Sequence, residues 1–417
     1  MNLYLRLTLA LALALAVLLH PPASGAAAVQ SPRWIATWAA SQQLVEPRNL
    51  PPVPAFTDTT IRQLVRVSIG GRQLRVRFSN AFGNAALTLH GARIARPVKV
   101  GASDIQPATD RALTFAGRSG VTIPIGAMVV SDELDFELAP LADVAITIHV
   151  RGAPSDVTGH PGSRTTSFFQ AGEAVSARAL PSAVRVQRWY FLSGIDVAAG
   201  PEAAAIVVLG DSITDGRGST TDGHDRWTDV FARRLQANPA TRDVAVLNHG
   251  IGGNRLLSSG LGPNALARLD RDVLAQPGVK WLIVLEGIND IGALSDDLAR
   301  GRTPATAADL IFALTQIIER ARTHGILVYG GTILPFEGTT DLNYFTAEGE
   351  AERQRVNGWI RQSGRFDAVI DFDAVTRDPA HPSRLSPAVD GGDHLHPSAA
   401  GYRIMGEAVD LKLFSRR

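Results

Sequence analysis

The chain has 417 residues and not one cysteine. Disulfides, a cysteine nucleophile and cysteine-ligated zinc or iron–sulfur centres are thereby excluded, and stability has to come from buried cores. A bias of charge is missing too. The 41 Lys and Arg are matched by 40 Asp and Glu, which speaks against a nucleic-acid partner or an anionic membrane surface. Beyond the N-terminal segment, no apolar run approaches the length of a membrane span. No internal repeat or extended low-complexity stretch follows either.

What is present begins with Arg6 ahead of the apolar run Leu7–Leu19, then Pro21-Pro22 and the small residues Ala26-Ala27-Ala28. The run is short for a span and has the small-residue exit of a signal peptide over 1–28. The expected location is therefore secreted or periplasmic, with no integral membrane span after cleavage. An uncleaved anchor is the alternative.

Residues 31–198 mostly alternate with period two. In "VRVSIGGRQLRVRFSNAFG", Val65, Val67 and Ile69 lead to Gly70-Gly71, and Leu74, Val76 and Phe78 follow. Alternation on both sides of a Gly-Gly pair predicts a hairpin. Val144, Ile146, Ile148 and Val150 alternate likewise, and the half is expected to be an all-β sandwich or jelly-roll. The pattern changes after Gly200-Pro201. Over 203–417, strand-like runs at Ala205–Leu209, Val244–Leu247, Trp281–Leu285, Ile326–Tyr329 and Val369–Ile370 alternate with helical segments. The clearest helix is expected to open at Thr303-Pro304, bury a face of Leu310, Ile311, Leu314, Ile317, Ile318 and Ala321, and close at Gly325. This is the pattern of an α/β domain with a parallel sheet covered on both faces.

In "AAIVVLGDSITDGRGS" the first of these strands runs into Ser212. Ligands of such sheets bind beyond the carboxyl ends of the strands. A phosphate loop of the form GxxxxGK[ST] needs a lysine that this stretch lacks, and G-x-G-x-x-G is absent as well. A serine nucleophile remains, and it needs a base held in one tautomer by a third group. "VDGGDHLHPSAAGY" offers Asp393 three residues before His396, with Pro397-Ser398 as a helix start. His394 is the competing base, and His249 and His160 stand next in line. Donors for an oxyanion are offered by "LNHGIGGNRLL", through glycine N–H groups, and by Asn289 in "LEGINDIG".

The blocks "GDSITDG", "NHGIGGNR", "GIND" and "DHLH", in this order, resemble the four blocks of the SGNH hydrolases, the GDSL esterase/lipase superfamily. The resemblance covers about Ala204 to Phe414. It implies a three-layer α/β/α flavodoxin-like domain in which Ser212 is the nucleophile and, through its N–H, one oxyanion donor. Gly253 matches the second-block glycine, with Gly252 the alternative, and Asn289 the third-block asparagine. Asp393 and His396 match the pair that orients and supplies the base. The α/β-hydrolases are a poorer match, because Thr214 stands where their G-x-S-x-G elbow has its second glycine. The β-rich half is similar to the domain preceding some bacterial xylan-acetylesterase-like members.

The resemblance implies a serine esterase acting on a small-molecule or polysaccharide ester, with short acyl or acetyl groups, and no cofactor or metal. A broad carboxylesterase or lipase and a carbohydrate-binding protein with a vestigial esterase fold are the alternatives. Nothing in the sequence fixes an oligomeric state. Trp34 and Trp38 are expected to pack rather than to stack on sugars, and Asp156–Gly172 to overhang the crevice.

Overall fold

The period-two segments of the first half form antiparallel strands. The computed structural model describes residues 33–292, 301, 304–340 and 344–415. The expected signal peptide, 1–28, and Thr303 lie outside the described residues. A seven-stranded sheet is ordered Val184–Val186, Ser167–Ala171, Thr59–Arg66, Asp143–Val150, Leu87–Ala95 and Arg111–Ala112, with Val121–Ile123 also on Leu87–Ala95. A five-stranded sheet is ordered Arg33–Ala39, Leu192–Ala199, Gly71–Ser79 and Met128–Val130, with Leu134–Leu138 also on Gly71–Ser79. Ile61, Val65, Ile146 and Ile148 of the first sheet share a core with Val76, Phe78, Ile195 and Val197 of the second.

The expected hairpin at Gly70-Gly71 does not form. Thr59–Arg66 pairs with Asp143–Val150 and Ser167–Ala171, whereas Gly71–Ser79 pairs with Leu192–Ala199. The chain passes from one sheet to the other at this point. Alternation marks each strand as half-buried but does not name its partner. The glycine answers crowding, since a Cβ on Gly70 would lie 2.3 Å from the Leu138 carbonyl oxygen. A small third sheet joins Trp189–Tyr190, Thr158–His160 and Gln43–Leu44.

After a turn closed by Ala203 N–H on the Gly200 carbonyl, 3.0 Å, the second half holds five parallel strands. Their order is Val244–Gly250, Ala204–Gly210, Val279–Leu285, Leu327–Gly331 and Ala368–Ile370. Chain order reverses on either side of Ala204–Gly210, so the crevice of this flavodoxin-like sheet opens at that strand's carboxyl end. The strand is buried along its whole length. Ala204, Ile206 and Val208 pack with Trp227, Phe231, Tyr402 and Met405 of one helical layer. Ala205, Val207 and Leu209 join Leu310, Leu314 and Ile317 of the other, and that cluster continues into the β-rich half. The two halves therefore share one core.

The expected long helix is found, buried on the predicted face, but it runs Ala307–Arg322. Thr306, not Thr303-Pro304, opens it. Its hydroxyl accepts from Asp309 N–H while Asp309 accepts from Thr306 N–H, a reciprocal cap that leaves Pro304 outside. Thr323 caps the other end, and Gly325 follows at φ +69°. Among the described residues, no helix is long and apolar enough to cross a membrane.

Candidate active site

Strand Ala204–Gly210 ends at Asp211, which caps a single helical turn, Ser212–Asp215, by accepting from Ile213 N–H at 2.8 Å. Two glycines let this turn sit down between the strand ends. A Cβ on Gly210 would lie 2.2 Å from Thr214 Oγ1, and one on Gly250 2.2 Å from Asp215 N. Ser212 is thereby held at the mouth of the crevice, largely buried.

Its hydroxyl lies 2.7 Å from His396 Nε2. His396 Nδ1 lies 2.7 Å from Asp393 Oδ2, which fixes the tautomer with its proton on Nδ1 and leaves Nε2 to accept from Ser212. The other oxygen of Asp393 accepts from the N–H groups of His396 and Leu395, at 2.8 and 3.1 Å. The carboxylate is thus pinned to the backbone of the residue it orients. Burial works to raise the Asp393 pKa, but the bonds and charge of His396 outweigh it, and the carboxyl stays well below its ordinary value. Burial lowers His396, and the Asp393 carboxylate only partly restores it. Ser398 caps the terminal helix Ala399–Ala408 directly after this loop, as expected.

Among the described residues, no acceptor takes the N–H of Ser212, Gly252 or Gly253. Both glycines line the same cleft, of about 800 Å³, as Ser212, Asn289 and His396. Gly253 needs its glycine: φ is +73° and a Cβ would lie 2.6 Å from Leu261 Cδ1. Asn289 Oδ1 accepts from the Tyr344 hydroxyl at 2.7 Å, and Nδ2 donates to the Asn254 carbonyl at 2.9 Å. That fixes the amide orientation, with one N–H of Nδ2 left over. All five expected site residues are therefore brought to one cleft. His394 pairs with Asp390. His249 bonds Ser41 and is pulled down to about 3 by burial. His160 is bonded elsewhere, as described next.

The motif reading missed what surrounds these groups. Asp215 Oδ1 receives His160 Nε2 at 2.9 Å, and Arg164 Nη2 stands 3.4 Å from Oδ2. Both partners come from the β-rich half. Burial pushes Asp215 up, but His160, Arg164 and Arg226 more than offset it and the carboxyl ends below its ordinary range. Pro161, Gly162 and Arg164 line the cleft, so part of Asp156–Gly172 does border the crevice. Below the strand ends, Arg268 is fully buried. It donates to Asn254 Oδ1 (2.9 Å), Ser41 Oγ (2.9 Å) and the carbonyls of His249 (2.7 Å) and Gly210 (3.0 Å). Asp272 and Glu286 pair with it. Burial, with neighbouring carboxylates, pushes Asp211 up to about 7 and Glu286 well above its ordinary value. Asp215 is visible in "GDSITDG" and Arg164 lies within the expected crevice loop Asp156–Gly172; nothing in the sequence marks Arg268 or Tyr344. Trp38 is buried edge-on to Trp189, centroids 4.9 Å apart, and Trp34 lies under Arg75, as packing residues.

A parallel sheet of this order, with the four blocks gathered at its carboxyl edge, defines the SGNH class of α/β folds. Residues 208–404, behind the β-rich region, match the GDSL-like Lipase/Acylhydrolase family. Among solved structures, the native M. smegmatis aryl esterase is 21% identical over 49% of this chain and 96% of its own, with a TM-score of 0.39. The lipase/acylhydrolase from Enterococcus faecalis gives 22%, 49%, 92% and 0.38. Est24, a carbohydrate acetylesterase from Sinorhizobium meliloti, gives 17%, 50%, 98% and 0.39. No curated protein matches the chain.

Proposed function

We propose that this protein is an exported serine esterase that removes short acyl groups, acetyl first among them, from polyhydroxylated alcohols such as polysaccharides. The observation that carries the reading is the unbroken chain from Ser212 Oγ to His396 Nε2 and from His396 Nδ1 to Asp393, each link 2.7 Å. His396 takes the proton as Ser212 attacks the acyl carbonyl. The oxyanion is received by the N–H groups of Ser212 and Gly253 (Gly252 being the alternative) and by Asn289 Nδ2. His396 then protonates the leaving alcohol, and water releases the acyl group by the same route. The leader-like N-terminal segment supports export to the periplasm or medium.

The cleft lining favours a sugar alcohol over a long acyl chain. Gln43, Asn49, Arg164, Arg217, Thr339 and Thr340 outnumber its apolar side chains. Leu261, Leu395 and Tyr344 in the same lining favour a second reading, a broad carboxylesterase for short acyl chains. Rates on acetylated xylan and on p-nitrophenyl esters of increasing chain length separate the two. Ser212→Ala should lower kcat by at least ~10³-fold on whichever is turned over. Wild-type turnover by Ser212→Ala would overturn the assignment.

A further inference from the structure

The cleft around Ser212 has one wall from each half of the chain, and both walls are charged. Three arginines line the cleft, Arg48, Arg164 and Arg217, along with three carboxylates, Glu46, Asp215 and Asp393. Formal charge balances, but hydrogen-bonding capacity does not. Glu46 accepts from Gln43 Nε2 at 2.7 Å and Asn49 Nδ2 at 2.8 Å. Asp215 is taken by His160, and Asp393 by His396 and two backbone N–H groups. The guanidinium groups are largely unspent. Arg48 has no hydrogen bond or ion pair among the described residues. Arg217 comes only within 4.0 Å of Asp393, with its side chain 63% exposed. Arg164 reaches Asp215 at a long 3.4 Å, and its buried Nε has no partner among the described residues.

Arg164 is also the one held most deliberately. Its φ is +52°, a left-handed conformation that costs a non-glycine residue about 1 kcal/mol or more. The loop is fastened there from the α/β half. Asp222 accepts from Thr166 N–H and Oγ1, both at 2.7 Å, and donates its own N–H to the Arg164 carbonyl at 2.9 Å. Arg226 holds the Ser163 carbonyl. Next to it, a Cβ on Gly162 would lie 1.8 Å from Asp215 Oδ2, so the loop can close on the serine turn only with glycine there. The Arg164 charge is near enough to be felt at His396.

We infer that Arg164 binds a carboxylate carried by the ester substrate, with Arg217 and Arg48 at the rim, and so makes the enzyme selective for acidic esters. The inference rests on the esterase reading above and names its substrate class. A guanidinium offers paired N–H donors that match a carboxylate. The carboxylate can sit on the acyl side, as in a half-ester of a dicarboxylic acid, or on the alcohol side, as in an acetylated uronic acid.

The test compares kcat/KM for charged and neutral partners of the same shape, using the full chain. The acyl arm sets ethyl hydrogen succinate against ethyl isocaproate. The alcohol arm sets acetylated methyl galactosiduronic acid, with its C6 carboxylate free, against acetylated methyl galactoside. In one arm the charged ester should be preferred about tenfold or more, mainly through KM, and the preference should shrink as salt is added. Within Arg164→Met the ratio should fall to about one, and Arg164→Lys should restore part of it. A ratio of one or less in both arms, or a preference that survives Arg164→Met, overturns the proposal and leaves the esterase reading intact. Hydrolysis of none of the four esters overturns that reading and this proposal with it. The wild-type ratio needs no variant, so a misfolded Arg164→Met leaves the test standing, with Arg164→Lys carrying the comparison.

Discussion

In the α/β half, Ser212, Gly253 and Asn289 each stand a few residues beyond a parallel strand, inside a block that can be quoted from the sequence. In the β-rich half, His160, Gly162 and Arg164 reach the same cleft from a loop with no recognisable motif. The difference follows from how each half places its residues. A parallel α/β sheet delivers successive strand ends to one edge, so order along the chain already implies proximity. An antiparallel half assembles by distant pairings. Thr158–His160 reaches the site only because it lies between Trp189–Tyr190 and Gln43–Leu44.

Three measurements press on this contrast. The largest effect is expected where the halves meet, at Arg268, whose side chain is 0% exposed and binds Ser41 on one side and Gly210, His249 and Glu286 on the other. Arg268→Leu strands the buried Glu286, leaves Asp272 with Arg271 alone and should lower the unfolding free energy by about 3–5 kcal/mol in urea titrations. A loss below about 1 kcal/mol would mean that the shared apolar core alone joins the halves. Next comes the oxyanion side. Asn289→Ala should cost on the order of 10²-fold in kcat with the fold intact, whereas an unchanged kcat would remove Asn289 from the chemistry.

The smallest effect is a displacement in pH. The reaction needs neutral His396, and activity falls as pH drops and the ring takes up a proton. Burial, together with the charges of Arg217 and Arg164, lowers this pKa more than Asp393 raises it, so the midpoint of the acid limb of kcat/KM should lie below the ordinary 6.5 of histidine. Asp211, at about 7, titrates nearby. Asp211→Asn should leave the limb in place, and a limb that moved with it would transfer the proton from His396 to Asp211.

Strands and helices were largely readable, because burial on one face leaves a period in the sequence. Alternation on both sides of Gly70-Gly71 does not imply a hairpin, because two strands can flank a tight turn and still belong to different sheets. The helix at Ala307 starts three residues after Pro304 because a Thr306–Asp309 cap satisfies the first N–H groups better than the proline does. The groups of the site were legible since their chemistry restricts residue type and spacing. Tyr344 and Arg268 were not, because an arginine or tyrosine acquires its partners only from the tertiary fold. Arg268 in particular sits on the short helix Ala265–Leu269, where sequence alone gives no sign of full burial.

The central claim is that Ser212 is the activated nucleophile of this cleft. Intact-mass spectrometry after treatment with a fluorophosphonate reads this directly, since the serine oxygen displaces fluoride and keeps the phosphonyl group. The wild-type chain should gain one phosphonyl group, mapped to the peptide containing Ser212, and Ser212→Ala should gain none. Equal labelling of Ser212→Ala, or a label mapped elsewhere, would contradict the account.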